Sequence, residues 1–164
     1  MLTEQQKAAA AAIVNIFETG SIRGDYGRVT YVTGDRGQLT YGRSQTTLAS
    51  GGLLRLLRLY CDQPDASYRA SLVGYLAPLE RKDPALNTDL RLRALLRAAG
   101  ADPTMQDVQD RFFERGYWQP AVAAAATLGL REALSVTVVY DSFVHGSWAK
   151  IRARVAARYG APAA

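Results

Sequence analysis

The chain has 164 residues, of which 48% are hydrophobic, with 20 Lys and Arg against 15 Asp and Glu for a net charge of +5. That is enough chain for one domain with a full core, and too apolar a composition for a disordered protein. A single cysteine (Cys61) and a single histidine (His145) exclude an internal disulfide and a structural zinc site of the Cys/His kind. The pI near 9.6 favours anionic partners such as nucleic acid, wall polymers or a membrane surface. No signal peptide is visible in residues 1–20, and the Ala8–Ala12 run is too short and too weakly apolar for a membrane span.

Thr3 with Gln6 reads as a capping box that opens a helix reaching about Glu18, with Ile13, Ile16 and Phe17 as its inward stripe and Thr19-Gly20 as its end. Gly20, Gly24, Asp25 and Gly27 mark a loop. Val29–Thr33 and Gln38–Tyr41 have strand character, and Gly34–Gly37 between them reads as a hairpin turn. The remainder is helical: Leu53–Cys61, Asp65–Glu80, Pro84–Ala99, Pro103–Arg115, Pro120–Leu128, Leu130–Val144 and a basic closing helix, Lys150–Tyr159. Leu130–Val144 is apolar on nearly every face, the pattern of a helix at the centre of a domain. No repeat, linker or low-complexity insert interrupts the chain. The expected fold is a single α+β domain over residues 1–164, mostly α-helical, with a small β-hairpin near its N-terminus, the layout of lysozyme-like domains.

Two carboxyls stand out. Glu18 closes an apolar helix, where burial disfavours the charged form of a carboxyl. The helix dipole also mildly disfavours an acid at a C-terminus, so its presence there favours a functional reason. Asp35 lies in a polar, glycine-rich turn, where a carboxylate stays ionised, and Thr40 follows five residues later. A carboxyl that holds its proton and one that does not are what glycosidic bond hydrolysis needs. Near them Tyr31, Tyr41, Arg43, Ser44 and Gln45 are candidates to contact a sugar. Asp141, in an apolar helix, needs a partner if buried, and an arginine is expected to supply it. His145 ends the same helix, where a cation suits the dipole. Cys61 is expected in the core, and the arginines at 91, 93, 97, 152, 154 and 158 on solvated faces.

Phe17-Glu18 with its short loop, Gly34-Asp35-Arg36-Gly37 through Thr40 and Gly42, and three C-terminal segments together resemble the glycoside hydrolase family 46 chitosanases, within the lysozyme superfamily. Those segments are Arg115–Val122, Gly129-Leu130 with Leu134, and Tyr140-Asp141 with Val144-His145-Gly146. The resemblance implies an inverting hydrolase of β-1,4-linked hexosaminides, with Glu18 as general acid, Asp35 as general base and Thr40 helping to hold the attacking water. It also implies a carboxyl separation of roughly 6.5–9.5 Å, wide enough for that water. By the same resemblance Arg43 and Asp141 would lie near the cleft, Asp141 in a buried ion-pair network behind the acid. The residues' own character, not the family, adds Tyr31, Tyr41 and Gln45 as candidate substrate contacts, the tyrosines reading more often as packing, and His145 as a structural cap. Neither metal nor organic cofactor is called for, because the two carboxyls supply the proton transfers.

Three differences from the family pattern bear on the substrate. Gly52 stands where the family carries an aspartate for the cationic amino sugar, the sequence stops soon after the His-Gly motif, and Asp-Arg-Gly replaces Asp-Gly-Arg-Gly. With the basic charge, they turn the expectation toward peptidoglycan and cell-wall lysis, with chitosan as the alternative. A non-catalytic wall-binding module on the same fold is a second alternative. A nucleic-acid-binding helical domain rests on charge alone, and no nucleic-acid partner is expected. A wall hydrolase would act outside the cytoplasm, in the periplasm or cell wall. It would get there by a non-classical route such as phage lysis or an effector system, or as part of a longer protein, and a delivery or immunity partner is possible.

Overall fold

The structure, a computed structural model, describes residues 2–43 and 45–160 and leaves the side chains of Glu18 and Thr19 undescribed. It is mostly helical with one small antiparallel sheet, as expected of the α+β class. Its residues group into two compact units, one made of residues 25–112 and the other of residues 1–24 with 113–164.

In residues 25–112 three two-residue strands, β1 (Val29–Thr30), β2 (Thr40–Tyr41) and β3 (Thr46–Thr47), pair in the order β1-β2-β3. The strands are shorter than the sequence predicts, and residues 31–39 form a loop in place of a tight turn. Within it Asp35 N–H donates to the Val32 carbonyl and Gln38 N–H to the Asp35 carbonyl. Register sets Thr30, Thr40 and Thr47 opposite one another, and likewise Val29, Tyr41 and Thr46. Directly paired residues share a face, so the sheet has a core face of Val29, Tyr41 and Thr46, all buried, and a second face that is a row of three threonines.

The core beneath is rich in leucine: Leu53, Leu56 and Leu57 of α2 (Gly52–Cys61), Leu72 of α3 (Arg69–Leu72), Leu79 of α4 (Leu76–Glu80), and Leu92 and Leu96 of α5 (Leu90–Ala99). Cys61 is buried there. Two segments read as single helices are broken. Residues 65–80 resolve into α3, a 3-10 turn over Val73–Tyr75 and α4. Residues 84–99 divide into a 3-10 turn (Pro84–Asn87) and α5, because the Asp89 carboxylate accepts from Leu92 N–H and restarts the helix.

Helix α6 (Pro103–Phe113) begins on Asp102, a buried carboxylate with every oxygen engaged. Oδ1 accepts from Thr104 N–H at 3.0 Å, and Oδ2 accepts from Tyr60 O–H at 2.6 Å and Ser67 N–H at 3.0 Å. Burial alone would raise its pKa, but these donors outweigh burial and hold it below the ordinary aspartate range.

The other unit starts with α1 (Glu4–Thr19), whose capping box forms as read: Gln6 N–H donates to Thr3 Oγ1 and Thr3 N–H to Gln6 Oε1. The inward stripe differs from the expectation. Ala10 and Val14 are buried, while Ile13, Ile16 and Phe17 are 43%, 47% and 81% exposed. Periodicity identifies an apolar face but not which part of it a neighbour covers. Helix α8 (Ala133–Val144) departs in the same way: Val136, Val139 and Tyr140 are buried, yet Leu134 and Val138 are exposed. Helix α9 (Trp148–Tyr159) has no buried residue.

Between α6 and α7 (Gln119–Thr127), Glu114–Trp118 form a π turn. Its i→i+5 bonding puts residues five apart on one side. Phe113 and Trp118 therefore both meet the Tyr140 ring edge-on, with centroids 5.8 and 5.0 Å away, at the heart of that unit's core.

Candidate active site

Asp35 is held at its backbone and open at its carboxylate. Oδ1 accepts from Gly37 N–H at 3.0 Å, an Asx-type turn that fixes the carboxylate on its own loop. The residue is exposed, and Oδ2 has no protein donor among the described residues. A side chain at position 37 would meet both Asp35 oxygens and the Thr47 methyl group at 3.4–3.6 Å, so Gly37 keeps the approach to the carboxylate clear. The arrangement suits a base: a fixed carboxylate with lone pairs left over.

Thr40 sits in the middle of the threonine row, 9% exposed. Its Oγ1 is in hydrogen-bond contact with Thr30 Oγ1 and lies 3.1 Å from Gln45 Oε1, while Thr30 Oγ1 lies 3.2 Å from the same amide oxygen. Gln45 Nε2 donates to the Gly42 carbonyl at 2.7 Å, which fixes the amide with its oxygen toward the threonines. The amide that was a candidate sugar contact is thus committed to Thr30, Thr40 and Gly42. Thr30 went unnoticed in the sequence, where nothing distinguishes it from any strand threonine.

Arg43 ties this loop to α6. Its guanidinium pairs with Asp110, which also accepts from Tyr26 O–H at 2.8 Å, and stands 5.6 Å from the Tyr26 ring centroid. Burial and the Asp110 carboxylate push the Tyr26 hydroxyl pKa up. Gln109, fully buried, donates to the Tyr26 carbonyl and accepts from Arg43 N–H. It presses so close to Gly42 (φ 76°) that a Cβ there would lie 2.3 Å from its Oε1, so only glycine fits. Arg43 is therefore a strut of the loop. Tyr41 has no exposed surface and packs in the core, and Tyr31 is half-buried against the same core. The reading of Tyr41 as a sugar contact is corrected by the pleat, which turns it away from the threonine face.

In the other unit Glu18 lies in the last turn of α1, and its side chain is outside the described residues, as is Ser44. Asp141 and His145 are brought together, with Oδ1 and Nε2 3.5 Å apart. Both are part-exposed, so the expected buried pairing of Asp141 with an arginine gives way to a pair one helical turn apart. They line an open groove of about 420 Å³ between α1 and α8 together with Ile13, Val14, Phe17, Leu134, Thr137 and Val138. Among the described residues no group of three His, Cys, Asp or Glu side chains could hold a metal ion, and no helix is long and apolar enough to cross a membrane.

The sequence profile of glycosyl hydrolase family 46 matches residues 12–164. The chain belongs to that family. A family 46 chitosanase from Gynuella sunshinyii, solved with chitotetraose, superposes with a TM-score of 0.84 at 27% identity, over 99% of this chain and 70% of that one. The native chitosanase of Bacillus subtilis MY002 superposes with a TM-score of 0.83 at 25% identity, over the same shares of the two chains. The chitosanase of Bacillus subtilis strain 168 is 27% identical over 147 residues, 88% of this chain. The chain spans about half the length of that curated relative, 53%. One family difference noted in the sequence has a steric side. Gly52 is buried, and a Cβ there would meet Ser50 Oγ at 3.1 Å, so a carboxylate at this position would require Ser50 to move.

Proposed function

We propose that this family 46 chain is an endo-acting, inverting chitosanase. The observation that carries the reading is the family match over residues 12–164, joined to an Asp35 carboxylate with an open oxygen five residues before a threonine hydroxyl. The relatives named above are chitosanases, which favours chitosan over peptidoglycan even though Gly52 takes the place of a carboxylate. In this reading Glu18 donates its proton to the glycosidic oxygen. Asp35 accepts a proton from water as that water attacks the anomeric carbon, and the product sugar inverts. Thr40 holds the water from a second side. Each carboxyl ends in the opposite protonation state, and exchange with solvent resets both.

The test is mass spectrometry of the products after incubating wild type and Glu18→Gln with chitosan and, separately, with purified peptidoglycan. Chitooligosaccharides from wild type and none from the variant are expected. Muropeptides with new reducing ends, and no chitosan products, would return the reading to a lysozyme-like wall hydrolase. Binding to either polymer without cleavage would leave a carbohydrate-binding module.

A further inference from the structure

We propose that Gln45 is a positioning residue that fixes which way the Thr40 hydroxyl faces, so that Thr40 can only accept a hydrogen bond from the attacking water. The inference rests on the hydrolase reading above and assigns a part to a residue outside the family pattern quoted for this chain. The Thr30 and Thr40 hydroxyls carry one hydrogen each and share Gln45 Oε1 as an acceptor, at 3.2 and 3.1 Å, while the Thr30 carbonyl offers Thr40 Oγ1 a longer one at 3.3 Å. The amide cannot turn round: Nε2 is 2.7 Å from the Gly42 carbonyl, and a flip would set two oxygens against each other. The Thr40 hydrogen can go to the Thr30 carbonyl, its longest contact, or enter one of two arrangements that use Gln45. Either Thr30 donates to Thr40 and Thr40 to Gln45, or Thr40 donates to Thr30 and Thr30 to Gln45. In every one of these, the Thr40 hydrogen is used inside the cluster and a lone pair is left over.

A water that meets a lone pair at Thr40 and a carboxylate at Asp35 must direct one O–H to each. Its own lone pair is then free for carbon, which is the orientation the attack requires. Without Gln45 the Thr40 hydroxyl keeps only the Thr30 hydroxyl and the longer contact to the Thr30 carbonyl, so it is freer to turn, donate to the water or to Asp35, and weaken the base. The backbone supports this division of labour. Gln45 has φ 46°, in the left-handed region that favours glycine, so the chain holds a strained residue there whose amide is engaged through both its oxygen and its nitrogen.

Glycine at 45 separates positioning from folding, because it relieves the backbone while removing the amide. For Gln45→Gly on chitosan, the expected result is kcat lower by about 10- to 100-fold, an unchanged KM and a melting temperature at or near that of wild type. Gln45→Glu adds a signature that a structural role does not produce. Its protonated carboxyl reproduces the amide, donating to Gly42 and accepting from the threonines, whereas its ionised form repels the Gly42 carbonyl. Activity of Gln45→Glu should therefore rise toward acid pH relative to wild type. Thr30→Val should cost less than Gln45→Gly, because Thr40 can still donate to Gln45.

Wild-type kcat and an unshifted pH profile in the two Gln45 variants would overturn the proposal, as would a loss confined to KM. Failure of the underlying reading looks different: Thr40→Val would keep full activity, or wild type would release no sugar. In the latter case the Thr40 hydroxyl proton still decides the question by NMR. Slow exchange with water in wild type and fast exchange in Gln45→Gly support the positioning role, and equal exchange rates overturn it.

Discussion

Asp35 and Asp102 belong to the same compact unit, and each accepts a hydrogen bond from the backbone N–H two residues ahead. They part company in what remains. The second oxygen of Asp102 is closed by Tyr60 and Ser67, and the residue is buried; that of Asp35 has no protein partner among the described residues, and the residue is exposed. The same side chain with its lone pairs committed is a strut, and with lone pairs open to solvent it is available as a base. The decisive property is not the residue type, nor even the turn it forms, but how many acceptor sites the fold leaves unused.

The largest effect expected from this contrast is on turnover. Asp35→Asn keeps the acceptor for Gly37 but removes the base, so cleavage should fall by about 10²- to 10⁴-fold with the melting temperature unchanged. Comparable activity in wild type and variant would end the assignment. Asp102→Ala should do the reverse, destabilising the fold by roughly 3 kcal/mol because a tyrosine hydroxyl and two backbone N–H groups lose their acceptor. Turnover per folded molecule should survive. Urea unfolding monitored beside kcat measures both, and a stable but inactive Asp102→Ala would invert the comparison.

Acid sharpens it further. Asp102 titrates lower when folded than when unfolded, so its stabilisation is fully present above the unfolded value of about 3.9 and drains away as pH falls through the folded one. The stability gap between wild type and Asp102→Asn should therefore narrow as pH falls below about 4, and a constant gap would refute the linkage. The smallest effect concerns Asp141, part-exposed and paired with His145 at 3.5 Å. Asp141→Asn should change stability by less than about 0.5 kcal/mol, read from the same urea curves.

Much of the frame is legible in the sequence because it rests on local chemistry. The capping box of Thr3 and Gln6 and the helix Leu53–Cys61 each carry their cause within a few residues. The parts that escape depend on distant neighbours. Ile13 and Phe17 read as core because periodicity marks an apolar face without saying what covers it. Strand β3 is two threonines long, too short to show alternation. Asp102 stands just before Pro103, a fair place for a helix cap, but its burial depends on Tyr60, 42 positions away. Within the site, Asp35 and Thr40 are suggested by residue type and spacing. The tie of Gln45 to Thr40 depends instead on a left-handed backbone that no composition announces.

The π turn at Glu114–Trp118 makes chain length itself a constraint there. Deleting one residue, Gly116 for instance, would let the helix close into regular i→i+4 bonding and would look harmless to any count of helix formers. It would also rotate every later position by about 100° relative to those before it. Phe113 and Trp118 would then no longer share a side, and Tyr140 would lose one of its two edge-on neighbours. Substitutions in this stretch can be absorbed by repacking, whereas insertions and deletions cannot, so family members that keep both rings against the tyrosine should also keep the spacing between them.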